Sequence, residues 1–291
     1  MKTITRESYA KRIERVLELL TQQSVTRDDT LDIHRLAEAA YLSPYHFHRV
    51  YVAMMGETVA ETLRRKRLHQ AAVWLISSAT SVADIATRVN YASVHAFTRA
   101  FRDAYGVPPA KYRLHGQLSA ALQRSQTIDR KETGMFNLND VHIETLSAER
   151  VATLAHHGDF QTIGDTFGRL AAWAAGKGFL TESTPSWGIY YDDPKSKAKS
   201  ELRSEACLAA PATITGDDKV HIKQTPGGKC AVFIFTGPYA ELEKPYRWLY
   251  ETWLPQSGEE LRDAPPYEAY LNDARSTPPH ALQTSICIPL K

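Results

Sequence analysis

The sequence predicts two domains of different class: an all-α double helix-turn-helix domain, then an α+β domain whose curved antiparallel sheet is built from two strand-helix-strand-strand halves. Three observations lead there. The segment "YHFHRVY" (Tyr45 to Tyr51) returns as "HAFTRAF" (His95 to Phe101), with an aromatic, an arginine and a second aromatic at matching places. The spacing of apolar residues is helical in the first part of the chain and strand-like in much of the second. The charge also changes sign. Residues 1–115 carry 17 Lys+Arg against 11 Asp+Glu, a net of +6, and residues 137–291 carry 15 against 20, a net of −5. The first part suits a polyanion and the second would repel one. With 291 residues, 43% of them apolar, the chain is long enough for two cores.

Each helix of the first domain follows from local pattern. Tyr9, Ile13, Val16, Leu17 and Leu20 recur at helical spacing. "LDIHRLAEAAYLSPYHFHRVYVAMMGE" then holds two short helices. Asp32 is placed to cap the first, Ser43-Pro44 opens the second, and Gly56 closes it. A longer amphipathic segment follows, "ETVAETLRRKRLHQAAVWLISS", with a basic run at Arg64–Arg67. The two-helix pattern repeats in "SVADIATRVNYASVHAFTRAFRDAYG", closing at Gly106. Arg49 and Arg99 are 50 apart, but Leu36-Ala37 and Ile85-Ala86 are 49 apart, so the second inter-helix turn has one extra residue. Phe47 and Tyr51 share a helix face, as do Phe97 and Phe101, and these belong to cores; Arg49 and Arg99 point elsewhere. A joining helix of roughly 20 residues spans about 30 Å. That is close to the roughly 34 Å between successive major-groove faces of a duplex. The repeat is therefore expected to hold two readers one helical turn apart.

Residues 116–136 are polar with weak periodicity and read as a linker. After it come "VHIETLSAERVATLAHHG", a helix in "TIGDTFGRLAAWAAGKG", then "SWGIYYDDP" and "ACLAAPATI". "GKCAVFIFTGPY" follows, with a helix in "LEKPYRWLYETWLP", then "PYEAYLN" and "TSICIPL". Alternation puts Glu268 and Tyr270 on one face of their strand, and Trp187, Ile189 and Tyr191 on one face of theirs. A carboxylate among aromatics is costly to bury unless it meets a cation or a donor.

Several function classes are not supported. No apolar run approaches the roughly 18 residues that span a bilayer, and charges stand where an export signal would be apolar. Cys207, Cys230 and Cys287 lack metal-ligand spacing and read as reduced, packed thiols in a cytoplasmic protein. His46 and His48 are two apart on a helix, and His156 and His157 are adjacent on a strand, so neither pair faces one metal. No nucleophile, nucleotide or zinc-protease motif occurs, so no catalytic residue, cofactor or metal is expected.

The run from "LAEAAYLSPYHFHRVY" to "FRDAYGVPPAKYR" resembles the DNA-binding domain of AraC/XylS-type transcription regulators. "GIYYDDP", "TGPYAELEKPYRWLYETWLPQSG", "YEAYLND" and "TSICIPL" resemble the GyrI-like effector domain. The order of the two is similar to Rob-type regulators. The resemblance implies base reading by Tyr45, His48 and Arg49 in the first unit and by Val94, His95, Thr98 and Arg99 in the second. Arginine bonds guanine O6 and N7, histidine and threonine bond base edges, and valine or tyrosine packs on a thymine methyl. Ser43 and Ser93, at helix N-termini, would meet phosphates. The family usually has glycine in each inter-helix turn. Here stand Tyr41 and Asn90, and Tyr tolerates positive φ poorly, so the first turn is expected to be reshaped.

For the second domain, the resemblance implies a pocket where the halves meet. Glu268 is the first choice for a ligand contact, with Tyr270, Trp187, Tyr191, Tyr239 and Trp253 as aromatic walls for a flat or cationic compound. The expected whole is a cytoplasmic, nucleoid-associated bacterial regulator, more often an activator. Its partners would be an asymmetric double-stranded DNA site over two major-groove segments, a small-molecule effector and RNA polymerase, with no membrane. Two alternatives stand beside it: a drug-sequestering protein, and a hydrolase using Glu268 as acid or base.

Overall fold

The computed structural model describes residues 3–23, 33–116, 136–194 and 196–291. Asp32, the side chain of Tyr45 and most of the 116–136 segment lie outside the described residues. The helical part comprises α1 (Thr3–Gln23), α2 (Ile33–Ala39), α3 (Pro44–Met55), α4 (Val59–Ser77), α5 (Val82–Arg88), α6 (Val94–Tyr105) and α7 (109–116). Helices α2–α3 and α5–α6 are the two helix-turn-helix units. Phe47 and Tyr51 are fully buried with Ile13, Leu20 and Leu36, and Phe97 and Phe101 with Leu75 and Ile85.

Both inter-helix turns close in the same way. Tyr41 N–H donates to the Glu38 carbonyl and Leu42 N–H to that of Ala37; Asn90 N–H donates to Thr87 and Tyr91 N–H to Ala86. The expected reshaping of the first turn does not occur. Tyr41 takes φ 50° and Asn90 φ 66°. A left-handed non-glycine residue costs about 1–2 kcal/mol, and α1 offsets part of this at Tyr41. Arg12 Nη1 donates to the Tyr41 carbonyl at 3.0 Å, and the Arg15 guanidinium lies 5.0 Å from the tyrosine ring centroid.

Helix α4 opens with a reciprocal cap: Glu61 N–H donates to Thr58 Oγ1 at 3.2 Å and Thr58 N–H to Glu61 Oε2 at 2.7 Å. Its first turns carry a polar joint to the first unit. The buried Tyr51 hydroxyl lies 2.9 Å from Thr62 Oγ1, Thr62 donates to Glu57 Oε1 at 2.9 Å, and Arg65 Nη2 donates to the same oxygen at 2.6 Å. The second unit has Phe101 at the matching place and needs no such partner. There Phe101 stacks on Tyr105 with centroids 4.3 Å apart and meets Tyr112 edge-on at 5.3 Å.

The sheet part has β1 (Val141–Leu146), β2 (Arg150–His157), β3 (Ser186–Tyr190), β4 (Arg203–Ala209), β5 (Val220–Gln224), β6 (Gly228–Thr236), β7 (Tyr267–Tyr270) and β8 (Gln283–Pro289). All pair antiparallel, in the order β1-β6-β8-β7-β3-β4-β2-β5. Helix α8 (Ile163–Lys177) belongs to the first half. Helix α9 (Glu243–Trp248) belongs to the second and runs through a π turn (Leu249–Trp253) into α10 (Leu254–Ser257). Pro255 has no N–H to give and crowds the preceding turn, and the wider π turn before it accommodates that. Helices α8 and α9 begin eighty residues apart, as do β4 and β8, so the duplication is regular.

Each half also has a leading strand that the sequence pattern did not separate. "VHIETLSAERVATLAHHG" holds two strands, and β5, "VHIKQ", was hidden by its polar residues. These edge strands are exchanged: β1 of the first half pairs with β6, and β5 of the second with β2. Thr225 and Glu149 tie the two turns together, through Thr225 N–H to the Glu149 carbonyl and Glu149 N–H to Thr225 Oγ1, each 2.9 Å.

One face of the sheet is covered by α8, over Ala152, Leu154, Ala206 and Leu208, and by the α9–α10 run, over Ala231, Phe233, Ile286 and Ile288. The sheet curves about its other face, where Val151, Ile189, Cys207, Cys230, Tyr267 and Cys287 pack together. The three thiols are buried and unbridged. The helical part docks on the covered side. Gly168 and Ala172 of α8 admit Leu17 of α1, and Ala240 joins the core of the second unit. Glu7–Lys177 (2.8 Å) and Glu14–Lys219 (3.0 Å) flank the first contact. No helix among the described residues is long and apolar enough to cross a membrane.

The Tyr51–Thr62–Glu57 joint generates a prediction. Thr62→Val leaves a buried hydroxyl and a buried carboxylate short of a partner, so urea unfolding should show a loss of about 1–3 kcal/mol. Tyr51→Phe, which leaves Thr62 bonded to Glu57, should cost less.

Candidate functional site

Two surfaces carry the candidate residues. On α3 and its approach, Ser43, His48 and Arg49 are exposed; on α6 and its approach, Ser93, Val94, His95 and Arg99 are exposed and Thr98 is half-buried. Ser93 caps α6 by accepting the Ala96 N–H at 3.1 Å. The spacing logic accounts for this arrangement: the apolar partners Phe47, Tyr51, Phe97 and Phe101 face inward, which turns the intervening residues outward. The basic run on α4 is put to other uses. Arg65 pairs with Glu57, and Lys66 with Asp165 of α8 at 2.6 Å.

The second surface is a pocket around Glu268. Its carboxylate is 2% exposed, so the strand hides it from water. Tyr270 donates to Oε2 at 2.9 Å and Tyr190 at 3.2 Å, and the two phenol oxygens are 2.8 Å apart. The Tyr246 hydroxyl is buried beside the same carboxylate and helps to hold its charge. Burial pushes the Glu268 carboxyl up to about 7, against the pull of the phenol hydrogen bonds. Both tyrosines are pushed well above their ordinary range, first by burial and then by the nearby carboxylate. Each phenol has one hydrogen. With Glu268 ionised, both donate to Oε2; with it protonated, one is released toward the other phenol. The cluster thus holds a negative charge or a proton at nearly equal cost near neutral pH.

Aromatic edges enclose this carboxylate. Phe160 meets Tyr190 at 4.9 Å, Phe167 meets Tyr270 at 5.4 Å, and Tyr239 meets Tyr270 at 5.3 Å. Gly188 lies opposite Glu268 in the β3–β7 pairing. A Cβ there would stand 2.7 Å from Tyr270 Oη and 2.9 Å from Tyr190, so a side chain at this position would displace the phenols. The pocket opens into a cleft of about 2260 Å³, well beyond the roughly 300–1,000 Å³ of an ordinary ligand site. The far wall of this cleft is α4, through Arg65, Lys66 and His69. His69 Nε2 is 3.0 Å from the Gln161 carbonyl, next to Phe160.

Glu268, Tyr270 and Tyr239 are brought together in the pocket, but three other candidates are not. Trp187 lies on the opposite face of the sheet, because Gly188 and Tyr190 take the face that Glu268 shares; it packs with Cys207 and Tyr267. Tyr191 follows the same alternation, and its hydroxyl donates to Glu205 Oε2 at 3.0 Å, though the residue reaches the outer rim of the cleft. Trp253 is buried under the π turn among Leu249, Ile286 and Ile288, where it serves the core. The sequence reading missed Tyr190, Tyr246, Phe160, Phe167 and Gly188. A glycine inside a strand was the available signal for a close approach. The face that Tyr190 takes depends on strand register, which no local pattern supplies.

Comparison with known proteins agrees with this architecture. Residues 139–291 match the model of the GyrI-like small molecule binding domain, and residues 36–115 that of a helix-turn-helix domain. The right origin-binding protein of Escherichia coli (strain K12) is 22% identical over 282 residues, covering 91% of this chain and 93% of that protein. The probable transcriptional regulator YgiV of the same strain is 26% identical over 160 residues, or 54% of this chain and 99% of the relative. The uncharacterized HTH-type transcriptional regulator YbfP of Bacillus subtilis (strain 168) is 26% identical over 129 residues, 43% of this chain. The match spans 42% of that relative's length. The chain belongs to the family of the GyrI-like small molecule binding domain, carried here behind a helix-turn-helix domain of the AraC type.

Proposed function

We propose that this protein is a ligand-responsive transcription regulator that reads DNA through α3 and α6 and senses an aromatic, cationic compound at Glu268. The observation that carries the reading is the buried carboxylate among phenols, at the head of a cleft whose far wall is the helix joining the two readers. A flat cation would pack on the aromatic faces and add a full positive charge to the phenols that partner the carboxylate. Such a charge bound inside the protein would act within reach of α4. In support of a role in transcription, relatives over different parts of the chain are named as transcriptional regulators. We read the protein as an activator that recruits RNA polymerase. Run-off transcription from a bound promoter, with and without ligand, tests this; unchanged transcript levels would leave sequestration of the ligand as the better reading.

Base reading is tested by gel shift on duplexes selected with the full chain. Arg49→Ala and Arg99→Ala should each cost about 1–3 kcal/mol and relax preference at one position of their own half-site. If both variants keep the full sequence preference, the assignment fails.

The ligand site is tested through pH. A permanent cation binds the ionised form of Glu268, so affinity for tetraphenylphosphonium should rise as pH goes from about 6 to 8, then level off. Glu268→Gln should bind weakly with no such slope. The sign for stability is opposite. The folded protein holds this proton more tightly than the unfolded chain does, because the carboxyl is raised from 4.5 to about 7. The contribution is fully present below the unfolded value and is lost as pH rises through 7. The wild type should therefore lose melting temperature relative to Glu268→Gln between about pH 5 and 8. A constant difference over that range would contradict the burial of an ionisable carboxylate.

A further inference from the structure

The loop between β7 and β8, residues 271–282, leaves the strand that carries Glu268 and Tyr270 and crosses to the helical part. There it meets both readers at equivalent places. Arg275 Nη1 donates to the Met55 carbonyl, in the last turn of α3, at 2.9 Å. His280 Nδ1 lies 3.2 Å from the Ala104 carbonyl, in the last turn of α6. The glycines that close the two helices, Gly56 (φ 73°) and Gly106 (φ 76°), sit directly against these side chains. A Cβ would be 3.3 Å from Arg275 Nη1 at Gly56 and 3.6 Å from His280 Nδ1 at Gly106. Last-turn carbonyls have no partner within their helix and carry partial negative charge, so donors, and cations above all, are favoured there.

The loop is tied together by its own hydrogen bonds. Asp273 clamps the Arg275 guanidinium through Nε at 2.9 Å and Nη2 at 2.5 Å, and its carbonyl accepts the Thr277 N–H at 2.8 Å. Asn272 spans the loop base, donating to the Ala281 carbonyl and accepting from Gln283 N–H, each at 3.0 Å. The duplicated half offers an internal comparison, since the matching loop, 191–202, lies eighty residues earlier. There Asp192 pairs with Lys197 and Arg203, and Lys199 with Asp159, all within the sheet domain. Ser200 stands where the second loop has His280.

We propose that the β7–β8 loop is a brace that sets the spacing of the two recognition helices, with Arg275 and His280 as positioning residues for DNA reading. The proposal rests on α3 and α6 being the readers. It also gives the pocket a direct route to both of them, because the brace begins one residue after Tyr270.

The test uses the full chain and duplexes selected with the wild type, lengthened by one to five base pairs between the two contacted segments. Wild type should bind the lengthened duplexes poorly. The double variant Arg275→Ala with His280→Ala should keep the base preference of each half-site but lose about tenfold of the discrimination against altered spacing, within the usual range of coupling between sites. Arg275→Lys, which keeps charge and donor, should retain most of it. If the double variant is too unstable, His280→Phe alone, which keeps a ring but removes the donor, is expected to shift spacing preference at unchanged melting temperature. Wild-type spacing discrimination in the double variant or in His280→Phe, or half-site preference lost in parallel with it, overturns the brace. A wild type without any sequence preference overturns the reading of α3 and α6 themselves.

Discussion

Helix α4 must satisfy three neighbours at once, and the rest of the structure depends on how its faces are divided. Leu68, Ala71, Ala72 and Leu75 are buried in the core of the second helix-turn-helix unit. Thr62 closes the polar joint to the first. Arg65, Lys66 and His69 face the cleft, and the last two bond the sheet domain directly. At 3.6 residues per turn these residues fall on two stripes of one rod: Leu68, Ala71, Ala72 and Leu75 on one, and Thr62, Arg65, Lys66 and His69 on the other. The helix is thus held by both helix-turn-helix units and by the sheet domain.

The cost of removing Glu268 from water shapes the other end of the cleft. No arginine or lysine pairs with it among the described contacts; phenols supply the hydrogen bonds, and a phenol dipole compensates a carboxylate less than a full charge does. The duplication makes the asymmetry visible. Tyr190 and Tyr270 are equivalent across the two halves and meet at 2.8 Å, but the partner of Glu268 is Gly188. Two carboxylates on adjacent strands would repel each other at close range, and a side chain at 188 would strike both phenols. One half supplies the charge and the other supplies the room for it.

Much of this was legible in the residues. The repeat in "YHFHRVY" and "HAFTRAF" gave both units and the division between core and outward residues, because helical spacing is a local property. Alternation in "PYEAY" put Glu268 beside Tyr270 for the same reason. What was not legible depended on pairing at a distance. The register of β3 on β7 decides that Tyr190 and not Trp187 faces the carboxylate, and no stretch of either strand carries that information. The fate of Trp253 turned on a π turn that rotates the helix just before Pro255. At Tyr41, a residue ill-suited to its φ is tolerated because two arginines from a distant helix hold it.

The exchange of edge strands ties the two halves of the sheet to each other. Because β1 is hydrogen-bonded into the second half and β5 into the first, the halves are latched at both rims of the sheet. The β3–β7 seam is therefore bridged twice by short turns, residues 147–149 and 225–227. The cleft that opens at this seam is lined by α4, so whatever fills it also touches the rod between the two helix-turn-helix units.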